Sequence, residues 1–268
     1  MPALPRPVLT LVTLSWLCGA PLAHAGDAID LSKLPANPIA NLVSLPLQYN
    51  HDVGLGTDGR GSRTTLNVQP VFPIALSEDW NLISRSVVPL IRHRGGNGDI
   101  TGGIGDATQS FFFSPNTPSS GGWTWGVGPV LRLPTASEDR LGFQQWGLGP
   151  TAVALKKTDN GWIVGALANH VWSVSGDSHR PPLSITFLQP FASRGFAHGR
   201  SLSANVEATY DWQRRRWQVP VNVLVGQMVQ LDGKRVNFQA GVRYHAASRD
   251  VGPDWGVRVM VTFLFDER

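Results

Sequence analysis

The sequence predicts an all-β chain closed into a transmembrane, antiparallel, up-and-down β-barrel of about twelve strands. Three observations predict it: an N-terminus built for export, stripes of alternating apolar residues about ten long, and tryptophans gathered at the ends of those stripes.

The export signal comes first. Arg6, the apolar run Val8 to Leu17 and the small-residue exit Ala23-His24-Ala25 have the three-part layout of a secretory signal peptide, so residues 1–25 are expected to be cleaved off after Ala25. The run is shorter than the roughly 20 apolar residues of a spanning helix. Cys18 is expected to leave with the signal, because Ser15-Trp16-Leu17 lacks the small residue that a lipoprotein signal places beside its cysteine. The remaining chain has 22 basic and 19 acidic residues, a formal charge of +3, which argues against a nucleic-acid partner. It has no cysteine, hence no disulfide framework and no thiolate metal site; no cofactor or metal is expected. No later stretch of 18 apolar residues exists, which excludes an ordinary helical membrane protein.

Alternation is the mark of a strand with one apolar face, and it is strongest near the C-terminus. Trp255, Val257, Val259, Val261, Phe263 and Phe265 fall on one parity. Leu202 to Trp212 repeats the pattern, with Ser203, Asn205, Glu207, Thr209 and Asp211 on the opposite face. Trp217 to Val225 and Val236 to Tyr244 form two more stripes. Runs of this length let a tilted strand cross a bilayer core. Weaker runs at 41–51, 63–74, 80–91, 105–114, 123–134, 146–157, 162–172 and 183–193 bring the count to twelve, an even number as in bacterial outer-membrane barrels. The barrel is therefore placed at 41–268. Residues 26–40, with Pro35 and Pro38, are expected to be an N-terminal extension that hangs in the periplasm or plugs the lumen.

Connection lengths agree. Such barrels have short periplasmic turns and longer outer loops. With the first strand running outward, the periplasmic turns are Ser77-Glu78-Asp79, 115–122, Thr158 to Gly161, 195–200 and a turn around Leu231 to Lys234. The outer loops are 52–62, 92–104, 135–145, 173–182, 213–216 and 247–254. Tryptophan agrees too. Trp80, Trp123, Trp146, Trp162, Trp217 and Trp255 open strands while Trp172 and Trp212 close them, the distribution expected of two belts at the bilayer interfaces. A soluble β-sandwich would place more of its tryptophan mid-strand, in the core. Prolines 70, 89, 129, 150, 190 and 220 fall inside predicted strands, and in a closed barrel they are expected to mark bulges.

Several segments then resemble a known family. Gly103-Ile104-Gly105-Asp106, Gly126-Val127-Gly128-Pro129 with Leu133-Pro134-Thr135, and Trp146 to Pro150 are similar to the outer-membrane proteins grouped under the MetA pathway of phenol degradation. Gly161-Trp162, His170 to Ser173 with Gly176-Asp177, Gln189-Pro190-Phe191, Asp211-Trp212 and Trp217 to Pro220 resemble the same family, and together they cover roughly residues 40–265. The resemblance implies a channel or transporter of the Gram-negative outer membrane, associated by name with aromatic compounds. Two features depart from it: Val221-Asn222 after Pro220, where the family tends to have Leu-Gly, and Asp266-Glu267-Arg268 beyond Phe265.

The polar parity of the strands supplies the candidate lumen-lining residues: Arg85, Asp106, Arg132, Asn205, Glu207, Asp211, Asn222, Gln239, Arg243, His245 and Arg258. Stability alone requires this placement, since an arginine facing lipid at mid-depth costs about 2–4 kcal/mol. Two readings follow. One is a salt-bridged lumen in which Glu207 and Asp211 offset Arg243 and Arg258; the other is an eyelet whose charges select solutes by field and width. Catalysis is not expected, because His170 lies on the apolar parity of its strand and no serine is placed by pattern beside His245. The Gly95 to Gly103 run is a loop tip without the Lys-Ser/Thr ending of a phosphate loop. Asp52, Asp58, Asp99 and Asp177 fall in outer loops without calcium-loop spacing. Gln213-Arg214-Arg215-Arg216 could meet lipid A phosphates or simply be solvated.

The expected function is a channel or transporter in the outer membrane for small, hydrophobic or aromatic molecules; the alternative is a non-transporting structural or surface-interaction barrel closed by ion pairs. The expected partners are outer-membrane lipid, lipopolysaccharide, a small-molecule solute and the barrel assembly machinery.

Overall fold

The computed structural model describes residues 42–248 and 252–265. The signal peptide, the N-terminal extension and the tail Asp266-Glu267-Arg268 lie outside the described residues. Twelve strands follow one another: β1 Val43–Leu55; β2 in two pieces, Gly61–Val68 and Val71–Ala75; β3 Trp80–Arg94; β4 in two pieces, Ile100–Ile104 and Ala107–Pro115; β5 Trp123–Leu133; β6 Gln145–Lys157. Then come β7 Trp162–Gly176; β8 Ser184–Gly195; β9 in two pieces, Arg200–Val206 and Ala208–Asp211; β10 Arg216–Leu231; β11 Lys234–Ala247; β12 Trp255–Phe265. Each strand pairs antiparallel with the next, and β12 returns to β1 from Val43↔Phe265 to Val53↔Trp255. The sheet is closed and has no free edge.

The alternation read from the sequence decides which side chains face out. On β10, Trp217, Val223 and Val225 are exposed while Pro220, Asn222, Leu224 and Met228 are buried; on β12, Trp255, Val257 and Val259 are exposed while Arg258, Thr262 and Leu264 are buried. The apolar stripes thus form the outer wall of the barrel. Trp80 and Trp123 stand exposed on that wall at the short-turn end, and Trp146, Trp172, Trp212, Trp217 and Trp255 at the opposite end. On this wall Gln109 of β4 hydrogen-bonds the hydroxyls of Ser84 and Ser86 on β3, which satisfies all three locally. Val223 lies midway along β10, so Val223→Arg is expected to destabilise the barrel in a bilayer by about 2–4 kcal/mol. Unfolding in lipid vesicles checks this, and a midpoint equal to the parent's would remove Val223 from the lipid-facing wall.

Two of the sequence expectations need correction. Only Pro89 and Pro220 sit at bulges. Gly105 donates its N–H to the Pro89 carbonyl (2.8 Å) where the β3–β4 pairing steps from Leu90↔Ile104 to Val87↔Thr108, and the β10–β11 register shifts between Val219 and Pro220. No register shift falls at Pro70, Pro129, Pro150 or Pro190, and Pro129 faces Pro150 directly. Lacking an N–H, each leaves a ladder bond unmade toward one neighbour, and the β4–β5 pairing accordingly skips Pro129 while the β6–β7 pairing skips Pro150. The breaks in β2 and β9 arise likewise from Pro70 and from Pro220, which accepts from Glu207 N–H (2.9 Å) but has no N–H to return. The second correction concerns loops: the outer connections expected at 52–62 and 92–104 shrink to 56–60 and 95–99, because β1, β3 and β4 run on past the bilayer-length core. The long connection is 134–144.

Inside, the two ends differ. Toward the short-turn end Val71, Ile83, Phe112, Val153, Leu155, Ile163, Leu167, Phe191, Met228 and Leu264 join Leu42 in one buried apolar cluster drawn from eight strands. Above it the interior turns polar.

Candidate functional site in the lumen

A network of charged groups occupies the middle of the lumen, centred on Glu207. Each member comes from an inward position that alternates with outward apolar residues, so strand parity places them all on one surface. Arg258 of β12 grips Glu207 with two hydrogen bonds, Nη1 to Oε1 at 2.9 Å and Nη2 to Oε2 at 2.8 Å. Arg243 of β11 donates Nη1 to the same Oε2 at 2.9 Å and to Asn222 Oδ1 at 3.2 Å. Asn222 donates in turn to Asn205 Oδ1 (2.8 Å), and Arg258 Nε donates to Asn50 Oδ1 (2.7 Å). The second anion is Asp52 of β1. Its Oδ1 lies 3.1 Å from both Arg243 Nε and His245 Nε2, and its Oδ2 lies 3.5 Å from Arg63 Nη2. Arg258 and Asp52 are each only 2% exposed, so their partners, rather than water, must balance them. Planar guanidinium forks on a carboxylate fix geometry as well as charge.

Beside this network, toward the long-loop end, a cavity of about 140 Å³ is lined by Arg63, Phe187, Glu207, Arg243, His245 and Pro220 among others. On the opposite wall Asp106 has a different task. Its carboxylate accepts the N–H of Phe143 at 2.6 Å and of Ala136 at 3.3 Å, with Arg132 Nε 3.7 Å away. The Arg132 guanidinium lies 4.7 Å over the Phe143 ring. Ser137 N–H to Ile104 O (2.9 Å) and Ala107 N–H to Thr135 Oγ1 (2.8 Å) bind the same segment to β4. Asp106 therefore pins the connection 134–144 against the inner wall. A β-carbon on Gly142 would stand 2.3 Å from Asp106 Oδ1, so only glycine lets the chain approach this closely.

The sequence-predicted residues divide accordingly. Glu207, Asn205, Asn222, Arg243, His245 and Arg258 come together. Asp106 and Arg132 form their own node, Arg85 donates to Gln69 Oε1 (2.8 Å), and Gln239 donates to Ser203 Oγ (3.0 Å). Asp211 does not join the lumen network. It sits where β9 ends and binds its own turn, accepting from Gln213 N–H (3.1 Å) and Arg214 N–H (3.0 Å) and pairing with Arg214 Nη1 (2.8 Å). The offset expected of Asp211 is supplied by Asp52, which belongs to β1 and not to an outer loop. Gln48, Asn50 and Asp52 alternate with Leu47, Tyr49 and Val53, and that signal extends the first strand beyond its expected end at 51. Arg63, the first residue of the run expected at 63–74, faces the same side opposite Asp52 and was not among the residues singled out. The other loop aspartates serve their own turns: Asp58 accepts from Arg60 N–H, and Asp177 accepts from His179 N–H and pairs with Arg180. His170 stands on the outer wall. Its Nδ1 lies 2.7 Å from Thr186 Oγ1, which also takes the Trp212 Nε1–H, and its ring packs on Trp172 at 4.2 Å.

A closed, sequentially connected barrel with an apolar outer wall and a buried ionic interior is a transmembrane β-barrel of the outer-membrane type. The chain belongs to the family described as Putative MetA-pathway of phenol degradation, whose model matches residues 51–268. Among solved structures it is similar to an outer membrane channel from Pseudomonas putida F1, with a TM-score of 0.65 and 17% identity over 89% of this chain and 99% of that one. It is also similar to the NanC porin, with a TM-score of 0.50 and 8% identity over 84% of this chain and 100% of that one. At these identities the likeness is one of fold. No curated protein matches the chain.

Proposed function

We propose that the protein is an outer-membrane channel for small molecules in which the Glu207-centred network is the selecting constriction. One observation carries this reading: the ionic ring formed by Asp52, Glu207, Arg243 and Arg258 lies between a cavity on the long-loop side and an apolar section on the short-turn side. Charged rings at a narrow point select by field and width. The apolar section favours solutes with a hydrophobic or aromatic body, the class the family's name also suggests. In this reading residues 1–25 direct export, the short turns face the periplasm, and the outer wall meets lipid and lipopolysaccharide after insertion by the barrel assembly machinery.

Purified, refolded protein in planar bilayers and in liposomes tests the proposal. Small discrete conductance steps and entry of aromatic solutes are expected; folded protein with neither conductance nor solute entry overturns it. That outcome would favour the second reading, a non-transporting barrel, for which the closed ion pairs and the apolar cluster speak.

A further inference from the structure

The cavity beside the ionic network has the charge balance of an anion site. Among the described residues, the arginines and carboxylates on its wall are Arg63, Arg243 and Glu207. Glu207 is already spent: Arg258 takes both of its oxygens, and Arg243 takes Oε2 a second time. Asp52 does not line the cavity, but it holds the two cavity arginines side by side, with Oδ1 3.1 Å from Arg243 Nε and Oδ2 3.5 Å from Arg63 Nη2. Three guanidiniums, those of Arg63, Arg243 and Arg258, thus share two carboxylates. Away from bulk water that leaves one cation in excess, and a counter-anion is the group that balances it.

The wall has donors to spare for that anion. Arg63 is 35% exposed, and its one polar contact among the described residues is the 3.5 Å pairing with Asp52, so its terminal fork is largely unused. On Arg243, Nη1 goes to Glu207 and Asn222 and Nε to Asp52, while Nη2 makes no hydrogen bond among the described residues. Thr209 and Gln218 face each other across β9 and β10 and add a hydroxyl and a carboxamide to the same wall. The rest is apolar. Phe187 lines the cavity and also packs on the buried apolar cluster, and Pro220 and Pro253 add further apolar surface. The volume of about 140 Å³ is close to the roughly 150 Å³ of an apolar cavity that admits benzene. One ring fits.

We infer that the cavity is a binding site for a small monocarboxylate with an apolar body of about one ring, its carboxylate on Arg63 and Arg243 and its body against Phe187. The chemistry matches. A guanidinium presents paired N–H donors at the spacing of two carboxylate oxygens, and an apolar wall with a few placed polar groups is how ligand pockets hold and orient a small molecule. A cation would meet the field of the arginines, and a neutral solute would leave the excess charge unbalanced. The inference rests on the channel reading for its purpose, a solute held at the mouth of the constriction, and adds to it the head group that the site recognises.

Equilibrium binding of benzoate, benzyl alcohol and acetate to the barrel refolded in lipid nanodiscs tests this, with empty nanodiscs as the baseline and potassium chloride conductance measured alongside in planar bilayers. The parent is expected to bind benzoate about tenfold tighter than benzyl alcohol, which lacks the charge, and than acetate, which lacks the body. Arg63→Gln should weaken benzoate binding about tenfold and leave benzyl alcohol within about twofold of the parent. Phe187→Ala should weaken both. Benzoate bound no tighter than benzyl alcohol, or bound by R63Q with the parent's affinity, overturns the inference. A parent that conducts but binds no benzoate overturns it and leaves the channel reading; a parent that binds benzoate but neither conducts nor admits solute supports the site and removes the channel reading. Arg63 is the most exposed of the three arginines, so R63Q is expected to fold. If it does not, Arg63→Lys keeps the charge beside Asp52 but loses the planar fork; benzoate binding about threefold weaker supports the site, and binding equal to the parent's overturns it.

Discussion

Replacing Glu207 by glutamine is expected to lower the stability of the barrel by about 3–5 kcal/mol, the usual cost of removing one partner from a buried ion pair. The substitution keeps shape and most hydrogen-bonding capacity, so the loss isolates charge. Arg258 would keep Asn50, and Arg243 would keep Asp52 and Asn222, but the bidentate anion that both arginines share would be gone. Urea unfolding in lipid vesicles measures the effect. The same variant should shift ion selectivity toward anions, because three arginines then face a single carboxylate. A double variant, E207Q with Arg258→Met, should recover most of the stability, since Arg243 retains Asp52 and the orphaned cation is removed. An unfolding midpoint for E207Q equal to the parent's would mean that the network is hydrated and not an internal ion pair.

Substituting Asp106 by alanine is expected to act elsewhere: on access. Two charge-assisted hydrogen bonds to Phe143 and Ala136 are lost, each worth about 1.5–3 kcal/mol, and Arg132 is left without its anion. The remaining ties from Thr135 and Ser137 hold only the first part of the connection. The segment 134–144 should therefore swing from the inner wall. Cleavage by protease within 134–144 should accelerate at least tenfold in folded protein, with a rise in conductance if the segment narrows the bore. Unchanged cleavage would show that the Arg180 contacts to Asp139 and Gly142 suffice to hold it.

Most of the fold was legible because a barrel wall imposes a period of two on every strand, and lipid enforces it by penalising each error. The stripe from Trp255 to Phe265 and that from Trp217 to Val225 need no partner to be read. The lumen was legible only by face. Alternation shows that Arg243 and Arg258 point inward, but which anion they meet depends on the register between strands, which a period of two does not fix. Asp52 and Asp211 illustrate both sides. Each lies at the loop end of a strand; the turn after Asp211 offers backbone N–H groups that claim the carboxylate, while β1 continues three residues past Asp52 and carries it inward. Asp106 was placed on the right face, yet its work as a tether depends on a connection whose path no periodicity encodes.

The closing pair of strands has a bearing on how the molecule is made. Every neighbouring pair except β1 and β12 is a hairpin formed from nearby chain, whereas Val43 must find Phe265, more than two hundred residues away. Asn50 and Asp52 sit on the first strand of this seam; Arg258 is on the last, and Arg243 and His245 on the one before it. Before the seam forms, these groups have only part of their final company. The ionic cluster therefore rewards correct assembly at its final step, and a barrel joined in the wrong register would carry unmatched charge in its interior, the kind of mistake that quality control can detect.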